Sequence, residues 1–362
     1  MTTDASSSPL QALPDDVLRR LLAGVPRLDH DALAAACQAF RAVIKGSNFL
    51  ALRRRYGFAE REIVLVGTRY AQPNNRVITA CTDEIQVSFA SGFLRPGSVS
   101  TTDGGARIFV CTMNDDLRLN DPNLVGEAVW EVDVNSRECR RFATLPLRRM
   151  FHCMEWRGGC LYVAGGYGRR EEDWEAHHPS SLDIFNEATG VWEASPAPMP
   201  LPCTCAASGV ISNQLFVVGG LTVHPAHLEL PPTHHRALRI YDFTTRTWRL
   251  GAPLPRTMPN LECGVVADGK LFAIRNDDRV MFVYEPKTDT WTEEAFPWWD
   301  SHVGRACSHN GRVVVFLKDG TSFERLARDE WQPYDVVGEV GDIAHDANTY
   351  PNTYVAESVL LG

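Results

Sequence analysis

Six histidines are crowded into two short stretches of this 362-residue chain, and their imidazoles are its most obvious candidate metal ligands. They are His177, His178, His224, His227, His234 and His235. The His-x-x-His spacing that begins at residue 224 suits a metal, but no nearby cysteine completes a set of four ligands, and the neighbouring acidic residues form only the run 171–173. We therefore interpret the histidines as surface residues and predict neither a metal site nor a cofactor.

The other reactive residue types do not form a recognisable catalytic pattern. The chain contains no Gly-x-Ser-x-Gly or His-Glu-x-x-His sequence and no dinucleotide-binding or phosphate-binding loop. Its ten cysteines are scattered through apolar segments without a Cys-x-x-Cys pair, which predicts buried, reduced thiols. We expect a protein that is not an enzyme.

The charge and hydropathy of the chain exclude two kinds of partner. A formal net charge of -9 argues against a nucleic-acid binder, because neutralising phosphates requires clustered Lys and Arg. The one basic run, 53–55, is interpreted as a solvated helix end. No segment approaches the ~20 apolar residues that span a bilayer. The polar start of the chain, predicted to be disordered over residues 1–10, has no apolar core of a signal peptide, so we expect a cytoplasmic or nuclear location.

Residues 11–57 carry a helical pattern. Apolar side chains recur at Leu18, Leu21, Leu22 and Val25, the spacing of one helix face, and a second stripe runs from Leu33 to Ile44. The pattern predicts three short helices. Because so small a unit cannot bury a large core, we expect it to leave an apolar face for a partner. The alternative is that this face packs on the domain that follows.

Residues 61–362 carry a strand pattern with a long repeat. Short apolar runs recur at Ile63–Val66, Ile108–Cys111, Leu161–Ala164, Leu215–Val218, Leu271–Ile274 and Val313–Leu317. Their first residues are 45, 53, 54, 56 and 42 positions apart. A period of this length with short strands predicts a mainly β fold, a six-bladed β-propeller.

Several units share further features. A glycine pair follows the strand at 165–166 and at 219–220, and a tryptophan recurs at Trp192, Trp248, Trp291 and Trp331, where we expect it to wedge between sheets. These features resemble kelch repeats, although the glycine pair is missing from the other four units. The first unit also lacks the strand that precedes the apolar run elsewhere. We predict that the C-terminal run, 354–361, supplies it and joins the chain's ends in one sheet.

The helical region is similar to an F-box. The resemblance rests on Leu13-Pro14, on Val25-Pro26 and on the segment Ala36–Ile44, in which Phe40 stands where the family commonly has Trp and Ala36 where it commonly has Val. With the kelch-like region downstream, the chain resembles the F-box/kelch-repeat family best known from plants. The resemblance implies a substrate adaptor of a Skp–cullin–F-box ubiquitin ligase. It implies contact with the Skp-type adaptor, or a place in the small core, for Leu13, Pro14, Val17, Leu18, Leu21, Leu33, Cys37, Phe40 and Ile44.

By the same resemblance, the propeller is expected to hold a target protein for ubiquitination and proteasomal degradation. In a four-stranded antiparallel blade, the links after the second and fourth strands emerge on one face. In this sequence they are the long ones, so we expect the target there. The side chains best able to anchor an interface are Arg148, Arg149, Arg169, Arg170, Trp174, His178, His234, His235 and Trp299. Two alternatives remain, a kelch scaffold protein without a ligase role and a propeller oxidase or isomerase with an unrecognised site.

Overall fold

The pattern of apolar residues changes near residue 60, and the structure changes there from helices to strands. The computed structural model describes residues 13–26, 29–46, 48–67, 77–79, 84–85, 99–111, 128–134, 136, 138–147, 149–169, 176–177, 179–221, 236–257, 263–275, 280–295, 303–317, 321–334 and 354–361. The chain divides into two compact units, residues 1–62 with 360–362, and residues 63–359. None of the described helices is long and apolar enough to cross a membrane.

The described residues of the helical unit form four helices, so the prediction of three is corrected. They are α1 (Asp15–Ala23), α2 (His30–Ala36), α3 (Gln38–Ile44) and α4 (Phe49–Arg55). The second apolar stripe is interrupted at Cys37, whose extended backbone (φ -150°, ψ 133°) separates α2 from α3. The four helices share a core of Leu18, Leu22, Ala23, Ala34, Phe40, Val43, Ile44 and Phe49.

The second unit is mainly β, and one of its sheets joins the two ends of the chain. This terminal sheet has the strand order β27-β1-β2-β3. Its strands are β1 (Glu60–Gly67), β2 (Val77–Thr79), β3 (Glu84–Ile85) and β27 (Tyr354–Leu361). The C-terminal strand therefore lies beside β1, its predicted neighbour.

Five four-stranded antiparallel blades follow one another between residues 99 and 333. Blade I consists of β4 (Val99–Thr102), β5 (Arg107–Cys111), β6 (Ala128–Asp133) and β7 (Glu138–Thr144). Blade II consists of β9 (Cys153–Arg157), β10 (Cys160–Ala164), β13 (Leu182–Asn186) and β14 (Val191–Ala194). Blade III consists of β15 (Ala207–Ile211), β16 (Gln214–Val218), β17 (Leu238–Asp242) and β18 (Thr247–Gly251). Blade IV consists of β19 (Cys263–Ala267), β20 (Lys270–Arg275), β21 (Val280–Glu285) and β22 (Thr290–Ala295). Blade V consists of β23 (Val303–His309), β24 (Arg312–Leu317), β25 (Ser322–Ala327) and β26 (Glu330–Pro333).

Neighbouring blades touch through their first strands, from β4 to β9 and onward to β15, β19 and β23. The described contacts thus form a kelch-type propeller of five successive blades, where the sequence predicts six. The second and third strands of a blade are almost wholly buried, as in β16 and β17, because sheets cover both of their faces. The tryptophans wedge between blades as predicted: Trp192 packs on a core cluster that contains both Phe109 of blade I and Leu161 of blade II.

The turns between first and second strands are tight. Asp268 and Gly269 have φ values of 48° and 69°, and Asn310 and Gly311 have φ values of 49° and 79°. Two consecutive positive φ angles are typical of the two-residue turn that matches the twist of a β-hairpin. These short turns emerge at one end of the blades, and the long connections emerge at the other.

Candidate protein-binding surfaces

Helix α1 has apolar residues on two of its faces. Leu18 and Leu22, four residues apart, are buried in the core of the helical unit. Val17 and Leu21, also four residues apart, are 39% and 52% exposed. Because residues at this spacing lie on one side of a helix, α1 presents a second apolar stripe away from its own core.

This second stripe forms one wall of a concave surface, which we call the α1 groove. Its volume is about 530 Å³, and it is lined by Asp16, Val17, Arg20, Leu21, Gly24, Val25, Tyr56 and Phe58. Tyr56 and Phe58, which follow α4, are 37% and 39% exposed. Four of the six exposed large apolar side chains among the described residues therefore line one groove. Such a concentration is typical of a protein-binding surface.

The nine residues that the F-box resemblance suggests differ in burial. Three are buried in the helical core, namely Leu18, Phe40 and Ile44. Three more are partly buried against this core, namely Leu13, Leu33 and Cys37. Pro14, Val17 and Leu21 are exposed, so of the nine residues only these three lie at the surface of the helical unit. Tyr56 and Phe58 were missed; two aromatic residues directly after the basic run were the available signal.

A buried arginine ties the walls of the α1 groove together. Arg53 is 1% exposed, which corrects its interpretation as part of a solvated helix end. Its guanidinium donates hydrogen bonds to Ala23 O (2.9 Å), to Val25 O and to Phe58 O (2.6 Å), and one of its nitrogens lies 2.9 Å from His30 Nε2. These bonds join the end of α1 to the segment that carries Phe58. Arg53 therefore maintains the groove's shape.

The rim of the groove is charged. The Arg20 guanidinium lies 5.4 Å from the centre of the Tyr56 ring, and Arg54 and Arg55 are exposed in the last turn of α4. On the other side of α1, Arg19 pairs with Asp15 at 2.9 Å. The lining of the groove itself carries one acidic and one basic side chain, Asp16 and Arg20, so the groove can accept apolar side chains flanked by polar groups of either charge.

On the propeller, the connections of blade II form an additional small sheet that the sequence analysis missed. It has the order β12-β11-β8, with β8 (Arg149–Met150) before blade II, and β11 (Tyr167–Arg169) and β12 (Ala176–His177) between its second and third strands. Gly168 is paired with Arg149 on one side and with His177 on the other. We call this the blade II loop sheet. It brings the segments around residues 149, 169 and 177 together.

Arg149 does not serve as an exposed contact. It is 1% exposed, and its guanidinium pairs with Asp183 and donates to Gly165 O (3.1 Å) and Ser181 Oγ (3.3 Å). Its prediction as a target-binding side chain is therefore corrected: it anchors both ends of the connection that contains β11 and β12. The side chain of Arg169 falls outside the described part of the chain, as do residues 148, 170, 174, 178, 234, 235 and 299. Their role stays a prediction.

Burial keeps one histidine and several cysteines of the propeller neutral at pH 7. Burial, followed by the charge of Arg149, lowers the pKa of His152 to about 3. Burial raises the pKa of Cys139 to about 12 and also raises the pKa of Cys153 and of Cys203. Neutral thiols are poor nucleophiles at pH 7. Within the described residues, no group of three or more His, Cys, Asp and Glu side chains is placed to hold a metal ion.

Comparison with known proteins agrees with this architecture. The kelch motif model matches residues 202–255, which contain all four strands of blade III. The solved structure of YjhT superimposes with a TM-score of 0.50 over 62% of this chain and 74% of that chain, at 16% sequence identity. At that identity the likeness concerns the fold alone.

The relatives extend beyond the propeller. The putative F-box/kelch-repeat protein At1g27420 of Arabidopsis thaliana is 24% identical over 355 residues, covering 92% of this chain and 96% of the relative. The F-box/kelch-repeat protein At1g67480 of Arabidopsis thaliana is 25% identical over 299 residues, covering 80% and 73%. Kelch-like protein 35 of Mus musculus is 24% identical over 187 residues, covering 51% and 30%. A match over 92% of the chain has to include part of the helical unit. Together, the kelch motif and these matches support the assignment of the chain to the F-box/kelch-repeat family.

Proposed function

We propose that this protein is the substrate-recognition subunit of a Skp–cullin–F-box ubiquitin ligase. The helical unit binds a Skp-type adaptor, and through it the cullin, by means of the α1 groove. The propeller binds a target protein for ubiquitination and degradation. The chain itself carries out no catalytic step, and it acts in the cytoplasm or nucleus.

The observation that carries the proposal is the position of the exposed apolar side chains. Val17 and Leu21 belong to the helix that resembles the start of an F-box, and together with Tyr56 and Phe58 they form the α1 groove. A groove of this kind suits an amphipathic helix of a partner. The similarity to proteins named F-box/kelch-repeat proteins supports the same role.

For the propeller, we propose that the terminal sheet is a sixth blade that closes the ring. It has the four strands of the other blades, and its outer members come from opposite ends of the second unit. Closure would leave the sheets without the open edges that favour aggregation. The target then binds at the end of the blades where the long connections and the blade II loop sheet lie.

The adaptor-binding role is tested by placing charge in the α1 groove. The double variant Val17→Glu/Leu21→Glu should lose at least about ten-fold in affinity for a recombinant Skp-type adaptor, because two carboxylates are desolvated at the centre of the interface. Binding is measured by surface plasmon resonance with the full chain. The matched control is Val191→Glu/Leu250→Glu, which changes the two other exposed large apolar residues, 60% and 53% exposed, on the propeller.

The control should bind like the wild type, and both variants should keep the wild-type Tm. Undiminished binding by the groove variant contradicts the proposal for the groove. A wild-type chain that captures no Skp-type adaptor contradicts the ligase role altogether and favours the kelch scaffold.

A further inference from the structure

Blade III contains a buried cation for which the described residues provide no counter-charge. Arg239, on β17, is 0% exposed. Its Nε donates to Pro200 O (3.0 Å) and Leu201 O (2.6 Å), and its Nη1 donates to Gly219 O (3.1 Å) and Ala237 O (3.3 Å). The remaining nitrogen, Nη2, is buried and has no hydrogen-bond partner among the described residues.

The described residues leave the buried positive charge of Arg239 without neutralisation. A guanidinium stays charged in a protein, so Arg239 cannot avoid its burial penalty by losing a proton. The carbonyl groups offer only partial negative charge, and within the described part of the chain Arg239 forms no ion pair with a carboxylate. A buried charge without a partner costs several kcal/mol. A group with negative charge is therefore expected beside Arg239.

Blade II shows where that group belongs. Val163 pairs with Asp183 in blade II, and Val217 pairs with Arg239 in blade III, so positions 183 and 239 are equivalent. The link that precedes each blade contains a residue with positive φ, Phe151 (54°) before blade II and Cys205 (53°) before blade III. Two residues earlier, the first link has Arg149 and the second has Cys203. In blade II the link supplies the arginine and the strand supplies the carboxylate.

In blade III the arginine comes from the strand instead of the link, and the link position holds no carboxylate. Both guanidinium groups reach the carbonyl of the first glycine of their pair, since Arg149 donates to Gly165 O and Arg239 donates to Gly219 O, each at 3.1 Å. The position that should oppose Arg239 holds Cys203, which is 1% exposed. The Cys203 thiol takes the place of a carboxylate, so the negative charge is missing at this position. Burial raises the pKa of Cys203 despite the opposing effect of Arg239, and the thiol therefore stays uncharged at pH 7.

We propose that blade III binds a small monatomic anion, chloride under physiological conditions, between Arg239 Nη2 and the Cys203 thiol. The anion accepts a hydrogen bond from each group and neutralises the guanidinium. It provides the negative charge that the Asp183 carboxylate provides in blade II. The site is independent of the role of the α1 groove.

The site is tested with chloride and with the variant Cys203→Asp, whose carboxylate replaces the anion. At constant ionic strength, exchanging gluconate for chloride should raise the Tm of the wild type by about 2 °C or more, because an ion that binds only the folded state stabilises it. Cys203→Asp should be at least as stable as the wild type in gluconate and should not respond to chloride. The matched control is Cys111→Asp, which places a carboxylate at another buried thiol, 1% exposed, and should lower the Tm in both salts.

Crystals soaked in bromide give a second measurement. An anomalous difference peak beside Arg239 Nη2 supports the site, and its absence from Cys203→Asp crystals supports the exchange of anion for carboxylate. The proposal is overturned if wild-type Tm is the same in both salts, if Cys203→Asp is destabilised as much as Cys111→Asp, or if bromide leaves no peak at Arg239.

Discussion

Blades II and III have the same backbone and different charges. Their third strands pair in the same register, with Phe185 opposite Trp192 and Tyr241 opposite Trp248. Both contain a glycine pair with positive φ, 65° and 96° at 165–166 and 67° and 84° at 219–220. The ion pair of Arg149 with Asp183 in blade II nevertheless becomes Cys203 and Arg239 in blade III.

The comparison shows which features these two blades keep and which they exchange. Positive φ and close backbone packing restrict the residue type strictly, because a Cβ at Gly165 would lie 2.4 Å from Cys203 O. In both blades the carbonyl of the first glycine accepts a hydrogen bond from an arginine, but Arg149 lies in the link before blade II and Arg239 lies on the third strand of blade III. Blades II and III therefore keep the same glycines and exchange their charged partners.

The largest expected effect comes from removing the carboxylate of blade II. Asp183→Asn leaves Arg149 buried with an uncompensated charge and should lower the free energy of unfolding by about 3–5 kcal/mol. The control is Glu193→Gln, which breaks the exposed pair of Arg246 with Glu193 (2.8 Å) and should cost less than about 1 kcal/mol. Urea unfolding of the full chain measures both. Equal losses in the two variants would show that the buried pair does not distinguish the blades.

A somewhat smaller loss of stability is expected from changing the glycine pair that blades II and III share. Gly165→Ala and Gly220→Ala each force a left-handed alanine whose Cβ lies 2.4 Å or 2.6 Å from a backbone oxygen of the link that precedes blade III. Each should lose about 2–4 kcal/mol, from backbone strain together with overpacking. Gly158→Ala has φ +56° but nothing within 4 Å of the added Cβ, so it should show only the strain, about 1–2 kcal/mol. Thermal and urea unfolding of the three variants rank these contributions, and a Gly158→Ala loss as large as the others would exclude the close contact as a cause.

Much of the blade pattern could be predicted from the sequence, because buried second strands are continuous apolar runs. Val313–Leu317, for example, lies within β24. The first unit lacks the strand that precedes the apolar run elsewhere, and this gap led to the prediction that the C-terminal strand, β27, pairs with β1. The break at Cys37 could not be predicted, because no glycine or proline marks it.

The roles of the arginines were also beyond sequence reasoning. Arg53 and Arg54 are adjacent in the sequence, yet only Arg53 is buried, because its partners Ala23 and Val25 come from the end of α1. Arg149 likewise depends on Asp183, which belongs to a later strand. The blade II loop sheet escaped prediction because strands of two or three residues carry no periodic signal.

The smallest expected effect concerns the turn after the third strand, where blade II has Asn186 and blade III has Asp242. Asn186 Oδ1 accepts a hydrogen bond from the amide of Ala188 (2.9 Å). Asp242 Oδ1 accepts hydrogen bonds from the amides of Thr244 (2.8 Å) and Thr245 (3.0 Å). The Thr245 and Thr244 amides hold the pKa of Asp242 below its usual value of 3.8. A lowered folded-state pKa means that the carboxylate stabilises the turn above the unfolded-state pKa and stops doing so as pH falls through the folded-state pKa.

Amide hydrogen exchange at Thr245 should therefore accelerate on acidification below about pH 4, relative to the intrinsic rate, whereas exchange at Ala188 should not. Asp242→Asn should remove the pH dependence from blade III, and Asn186→Asp should introduce it into blade II, since the two turns bind the side-chain oxygen in the same way. Because Asp242 lies at the surface, neither variant should change the overall Tm at pH 7 measurably. A pH dependence that remains in Asp242→Asn would assign it to another carboxylate, and the two turns would then differ in more than charge.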